Sequence, residues 1–144
     1  MSKVSDPAET EPAPQHLFTG VVPHLNVDGA SEASTFYQRA FGAEELARMP
    51  HSDGVRLMHC HLFINGGSIM LADCFPEHGV PHDPSQSYTM HLQVPDVDAW
   101  WTRAVEAGAQ VVVPLQEMFW GDKYGKLRDP FGVSWSLAST IKKS

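Results

Sequence analysis

The sequence predicts an α+β fold: two tandem βαβββ modules forming a curved mixed sheet around a cavity. Three observations predict it. The order strand–helix–strand–strand–strand is legible twice in 144 residues. His24-Leu25-Asn26-Val27 matches His91-Leu92-Gln93-Val94 at a spacing of 67. Gly42-Ala43 matches Gly108-Ala109 at 66, and at that same 66 Gly66, Ser68, Leu71 and Ala72 meet Gly132, Ser134, Leu137 and Ala138. The helix stripes keep neither offset, so the two helices have diverged or rotated. One such module would expose a face of its sheet, and pairing two leaves a pocket between the repeats.

Residues 1–16 are rich in Pro, Glu and Ser without periodicity, the composition of a mobile tail. A single domain over 17–140 follows, with module one at about 17–75 and module two at about 87–140. Phe18–Val27 reads as a strand, and Pro23 confines it to an edge or a bulge. Ala33, Phe36, Tyr37, Ala40 and Phe41 then fall on one helical stripe, with Ser31 as its N-cap and Gly42 as its stop. Glu44–Met49, Arg56–Ile64 and Ser68–Asp73 are strands, the last two joined by the turn signal Asn65-Gly66-Gly67. Phe75–Gln86, with three prolines, reads as a connecting loop. The second module repeats the pattern. Ser87–Val94 is a strand, and Pro95-Asp96 leads into a helix with the stripe Val97, Trp100, Trp101, Ala104 and Val105. Gln110–Leu115 and Gly132–Ser139 are strands, with 119–128 between them.

Ten basic against 17 acidic residues give a net charge of −7. A surface of that sign repels phosphate backbones and anionic lipid, so neither nucleic acid nor a membrane is an expected partner. No apolar run approaches the ~18 residues of a membrane span. The N-terminal stretch has no hydrophobic core of a secretion signal, and a cytoplasmic protein is expected. Cys60 and Cys74 are too few for a disulfide scaffold or a cysteine zinc site, and both lie in apolar stretches that suit buried thiols. No G-x-S-x-G elbow, P-loop or dinucleotide fingerprint occurs.

Several motifs resemble the vicinal oxygen chelate superfamily, the glyoxalase/bleomycin-resistance/dioxygenase fold, and within it the PhnB-like branch. They are PHLNVDG at Pro23–Gly29, Phe36-Tyr37 with Phe41-Gly42-Ala43-Glu44, HCHLFING at His59–Gly66, and PLQEMFWGDKYGKLRDPFGVSW at Pro114–Trp135. The resemblance covers roughly Phe18–Ser139. It implies paired βαβββ modules, a small-molecule cavity and a homodimer. In metal-dependent members four ligands come from the first and last strand of each module. Carried over, those positions fall on Val22, Met70, Thr89 and Ser136, which are not the usual His, Glu or Gln, so neither a metal on these positions nor a cofactor is expected. The clefts of bleomycin-resistance proteins are strongly acidic, and the inward strand faces here are neutral, which speaks against a bleomycin ligand.

His24 and His91 are repeat equivalents, and Asn26 and Gln93 are the next residues on the same strand faces. These four form a hydrogen-bonding, uncharged lining suited to a neutral or polar aromatic ligand. His59 and His61 share a face of their own strand. Three roles are open to these histidines: lining an organic-ligand pocket, packing, or holding a relocated metal. Trp120 and Tyr124, in a segment flanked by Gly121 and Gly125, can wall a pocket and stack on a planar ligand, or Trp120 can plug the sheet as core. Trp100 and Trp101 read as packing or dimer contacts, and Arg128-Asp129 as an exposed ion pair. The candidate ligand-binding set is therefore His24, Asn26, His59, His91, Gln93, Trp120 and Tyr124, with no catalytic residue assigned. Binding of a small organic molecule is the expected function. The alternative is a lyase, isomerase or dioxygenase-type enzyme, metal-dependent or histidine-based, with a relocated histidine site.

Overall fold

The computed structural model describes residues 19–141; the tail at residues 1–16 and the start of the first strand at Phe18 lie outside the described residues. The first module runs β1 (His24–Val27), α1 (Ala30–Phe41), β2 (Glu44–Pro50), β3 (Leu57–Ile64) and β4 (Gly67–Asp73). The second runs β5 (Met90–Gln93), α2 (Val97–Ala107), β6 (Gln110–Glu117), β7 (Asp122–Arg128) and β8 (Ser134–Thr140). A 3-10 turn at Pro76–His78 opens the connecting segment. The chain divides into two compact units, with the main division at His82 and Asp83.

The strands form two four-stranded mixed sheets of identical order, β1-β4-β3-β2 and β5-β8-β7-β6. In each, the first strand runs parallel to the last and the other pairs are antiparallel. The registers repeat as well. His24 pairs with Met70 as His91 pairs with Ser136, and Asn26 pairs with Ala72 as Gln93 pairs with Ala138. The duplication read from residue spacing is thus a duplication of strand pairing. Pro23 and Pro114 both fall at sheet edges, where a missing N–H costs no ladder bond. Pro114 stands where β6 is bulged. The β3–β4 turn follows from Asn65 at φ 50 and Gly66 at φ 83, a pair of left-handed residues whose twist matches that of a hairpin.

Each sheet buries one face under its helix. In the first module Leu25, Val27, Leu71, Cys60 and Leu62 of the sheet and Ala33, Phe36 and Tyr37 of α1 are all buried. Side chains tie the layers: Ser34 donates to Glu45 at 2.8 Å and Arg48 donates to Ser31 at 3.2 Å. In the second module Leu92, Leu127, Trp135 and Leu137 form the same layer beneath α2. Gly125 is glycine for space: a Cβ there would overlap the Trp101 ring. It is a packing residue inside β7, at a close helix–strand approach.

Three further expectations change. Ser31 does not cap α1. The N-cap is Gly29, and Asp73 from the end of β4 accepts from Gly29 N at 2.9 Å and Ala30 N at 3.2 Å. A carboxylate supplied from a distant strand does the work of a local cap, which spacing along the chain cannot reveal. Asp129 is no exposed ion-pair residue: it is buried and accepts from Phe131 N, Val133 N and Trp135 Nε1 at 2.8–3.0 Å. The strands expected at Phe18–Val27 and Ser87–Val94 begin ladder pairing only at His24 and Met90. Cys60 and Cys74 are buried free thiols, as expected.

Candidate functional site

The face of each sheet away from its helix carries the predicted site residues. In the first module strand alternation puts His24, Asn26, Met70 and Ala72 on that face, and β3 adds His59 and His61 beside them through the pairs His61–Met70 and His59–Met49. The histidines act on one another. Burial, then the nearby charge of His24, lowers the His59 pKa below its usual value, and burial followed by His59 lowers that of His61. His61 is fully buried, its Nε2 2.8 Å from Ser68 Oγ. These rings are held toward the neutral imidazole, a hydrogen-bonding group or a base at neutral pH.

A cavity of about 350 Å³ opens in this module, within the usual range for ligand pockets. His24, Asn26 and Ala72 line its inner side, and His51, Met58, Phe75, His78 and Val80 line the rest. Asp73 also borders it, with oxygens that already accept from Gly29, Ala30 and Leu57 backbone N–H groups. Two of the predicted residues, His24 and Asn26, therefore line a cavity, and His59 stands on the same sheet face without lining it. The expectation placed the cavity between the repeats, whereas this one is formed by residues of the first module and of the connecting segment after β4. Its outer wall was missed. His51, Phe75 and His78 lie in the β2–β3 loop and the segment after β4, where no period marks a face. Phe75 and Val80 pair as an isolated bridge, and that hairpin is the signal a reader could have sought around Pro76 and Gly79.

The other four predicted residues assemble in the second module. Gln93 Nε2 donates to Asp122 Oδ1 and Thr140 Oγ1, each at 3.2 Å, so its Oε1 faces His91 Nε2 at 2.8 Å as an acceptor. That fixes a proton on His91 Nε2, and in the neutral ring Nδ1 accepts from Ser136 Oγ at 2.7 Å. Tyr124 stacks on His91 with centroids 6.3 Å apart, and Trp120 meets Tyr124 edge-on at 5.6 Å. Trp120 Nε1 donates to Asp122 Oδ2 at 3.0 Å, and its ring stays half exposed on the β6–β7 turn, so it does not plug the sheet. Phe119 beside it is 97% exposed.

Cys60 is no nucleophile. Burial above all, and then the Glu45 carboxylate, pushes its thiol up to about 12. The positions that the resemblance gives to metal ligands hold Val22, Met70, Thr89 and Ser136. Valine offers no donor, methionine only a soft sulfur, and the Ser136 hydroxyl is engaged with His91. Among the described residues no group of three or more His, Cys, Asp or Glu is arranged to hold a metal ion. On the assignment that the resemblance implies, these four side chains include no imidazole or carboxylate and do not fit a hard-metal centre. No helix among the described residues is long and apolar enough to cross a membrane.

Two mixed sheets of identical strand order, each with one helix-covered face and one face of polar side chains, define a paired-βαβββ protein. The family model described as the Glyoxalase/Bleomycin resistance protein/Dioxygenase superfamily matches residues 15–137, and the chain belongs to that superfamily. It is 46% identical over 127 residues to the protein Rv0887c of Mycobacterium tuberculosis, covering 84% of this chain and 74% of that one. Its structure is similar to that of protein PA1353 from Pseudomonas aeruginosa, with a TM-score of 0.71, 26% identity, and 85% and 98% of the two chains covered. A PhnB protein from Bacillus cereus shares the fold, with a TM-score of 0.68, 22% identity and coverage of 83% and 98%.

Proposed function

We propose that this protein binds a small organic molecule on the open face of its first module, with His24, Asn26 and His59 supplying polar contacts and the expected metal-ligand positions of the superfamily given up at Val22, Met70, Thr89 and Ser136. The cavity of about 350 Å³ carries the reading: it holds imidazole and amide groups, apolar side chains, and neither lysine nor arginine. Such a lining selects by shape and hydrogen bonds, and it disfavours phosphates. In the second module His91, Gln93, Trp120 and Tyr124 form the corresponding surface, with aromatic rings available for stacking. The reading includes a cytoplasmic homodimer, in keeping with the superfamily, and light scattering on the purified chain tests the dimer.

The experiment is a ligand-observed NMR screen of a metabolite and drug-fragment library against the wild-type chain and His24→Ala. Hits lost or weakened at least tenfold in the variant support the reading. A library with no His24-dependent hit overturns it.

The histidines favour a second reading, an enzyme using a histidine as acid or base. Its support is the pair His59 and His61, held toward the neutral form on the same face as His24. A metal-dependent version would need a relocated histidine site, and metal analysis of untagged protein purified without chelator decides it. If His24→Ala and His91→Ala both leave turnover of an identified substrate unchanged, the catalytic reading is lost.

A further inference from the structure

The outer wall of the first-module cavity is braced from behind. Arg56 lies over the Phe75 ring with its guanidinium carbon 4.3 Å from the centroid. The same guanidinium donates to both Glu77 carboxylate oxygens, at 3.0 and 2.8 Å, and to Asp53 Oδ2 at 2.7 Å. Asp53 is itself fixed, its Oδ1 accepting from Val55 N and Arg56 N at 2.9 Å. The β2–β3 loop and the Phe75–Val80 hairpin are thereby clamped together, and one face of Phe75 is committed to Arg56. His51 stands against the same ring, centroids 5.3 Å apart.

The Asp53 turn, held by backbone N–H groups, fixes the chemistry of His51. Its Nδ1 accepts from Asp53 N–H at 3.1 Å, so in the neutral ring the proton sits on Nε2. Protonating the ring, with Nδ1 then donating to Asp53 Oδ2 3.2 Å away, leaves the Nε2 proton in place. In both states this cavity-lining side chain offers a donor at Nε2. Charge around the cavity disfavours an anion: Asp73 borders it, and the one Arg56 faces both Asp53 and Glu77. Phe75, Met58, Val80 and Ala72 supply apolar wall for a flat ring.

We propose that the first-module cavity recognises an uncharged aromatic carbonyl compound, its ring against the Phe75–Met58 wall and its carbonyl oxygen accepting from His51 Nε2–H, with Arg56 a positioning residue that holds the wall. The inference rests on the small-molecule reading above and names its ligand class. Three related probes test it by calorimetry at pH 8: methyl naphthyl ketone, ethylnaphthalene, which lacks only the carbonyl oxygen, and naphthoate. The expected order is ketone tightest, with the ethyl compound about fivefold weaker for want of one hydrogen bond. Naphthoate should be weaker again.

His51→Phe should erase the gap between ketone and ethyl compound. Arg56→Met should weaken both by the same factor and leave the gap intact. Thermal melts of both variants check that they fold, and the wild-type probe order is decisive even if one does not. Equal binding of ketone and ethyl compound, or tighter binding of naphthoate, overturns the carbonyl assignment while leaving the small-molecule reading standing. No binding of any probe overturns the ligand class, and the His24-dependent screen then decides the wider reading separately.

Discussion

The two modules share one strand order and one register between first and last strands, yet they use their open faces differently. In the first, the row His24–Met70–His61 and the residues Asn26, Ala72 and His59 border a cavity or stand beside it. In the second, the matching row is His91–Ser136–Lys126, and Gln93, Ala138 and Tyr124 follow it. There the polar groups bond to one another: Ser136 to His91, His91 to Gln93, Gln93 to Asp122 and Thr140. Duplicated backbone geometry therefore fixes where a side chain stands, and its neighbours decide whether it is available to a ligand. A histidine whose two nitrogens are satisfied inside the protein is a structural group first, and one that lines a cavity is a candidate for recognition.

The largest expected losses fall on one buried carboxylate in each module, at positions that are not repeat equivalents. Asp73 and Asp129 each accept three or more hydrogen bonds, mostly from backbone N–H groups. Replacing either by Ala strands buried donors, and each variant should lose roughly 3–5 kcal/mol in urea unfolding. A loss below about 1 kcal/mol at one site would show that its module is held differently. Gly125→Ala should come next, at about 1–3 kcal/mol, because the new methyl meets the Trp101 ring. Trp101→Leu in the same chain should recover part of that loss.

The contrast itself is sharpened by a pair of equivalent substitutions. His91→Ala removes a ring bonded at both nitrogens and should cost about 1 kcal/mol of stability. His24→Ala should cost less than about 0.5 kcal/mol, since its ring, exposed like that of His91, has no hydrogen-bond partner among the described residues, and show its effect in ligand binding instead. The reverse ranking would break the comparison.

The smallest effect is a pH dependence that arises from the first-module histidines His59 and His61. His59 and His61 bind protons less readily folded than unfolded, so the unfolded chain gains protons first as pH falls. Their contribution to stability is complete above the ordinary histidine value of 6.5 and is lost as pH drops below it toward the lowered folded values. Urea melts at neutral and mildly acidic pH should show this slope in the wild type and a shallower one in His59→Gln.

The sequence by itself determined the architecture and the location of the polar faces. Period-two and helical patterns, glycines at turns and the spacings of 67 and 66 residues needed no tertiary information. They placed His24 with His91 and Asn26 with Gln93 before any strand was paired, because side chains alternate across a strand whatever lies beside it. Only the tertiary structure decided what those side chains do. The cap of α1 comes from Asp73, 43 residues away from the Ala30 N–H it accepts. Asp129 is drawn inward by a tryptophan and a turn, and the wall of the cavity is built from a loop and a hairpin that Arg56 joins across 21 residues to Glu77. These are hydrogen bonds and ring contacts between segments distant along the chain, and they leave no period in the sequence because nothing repeats in the way they are made.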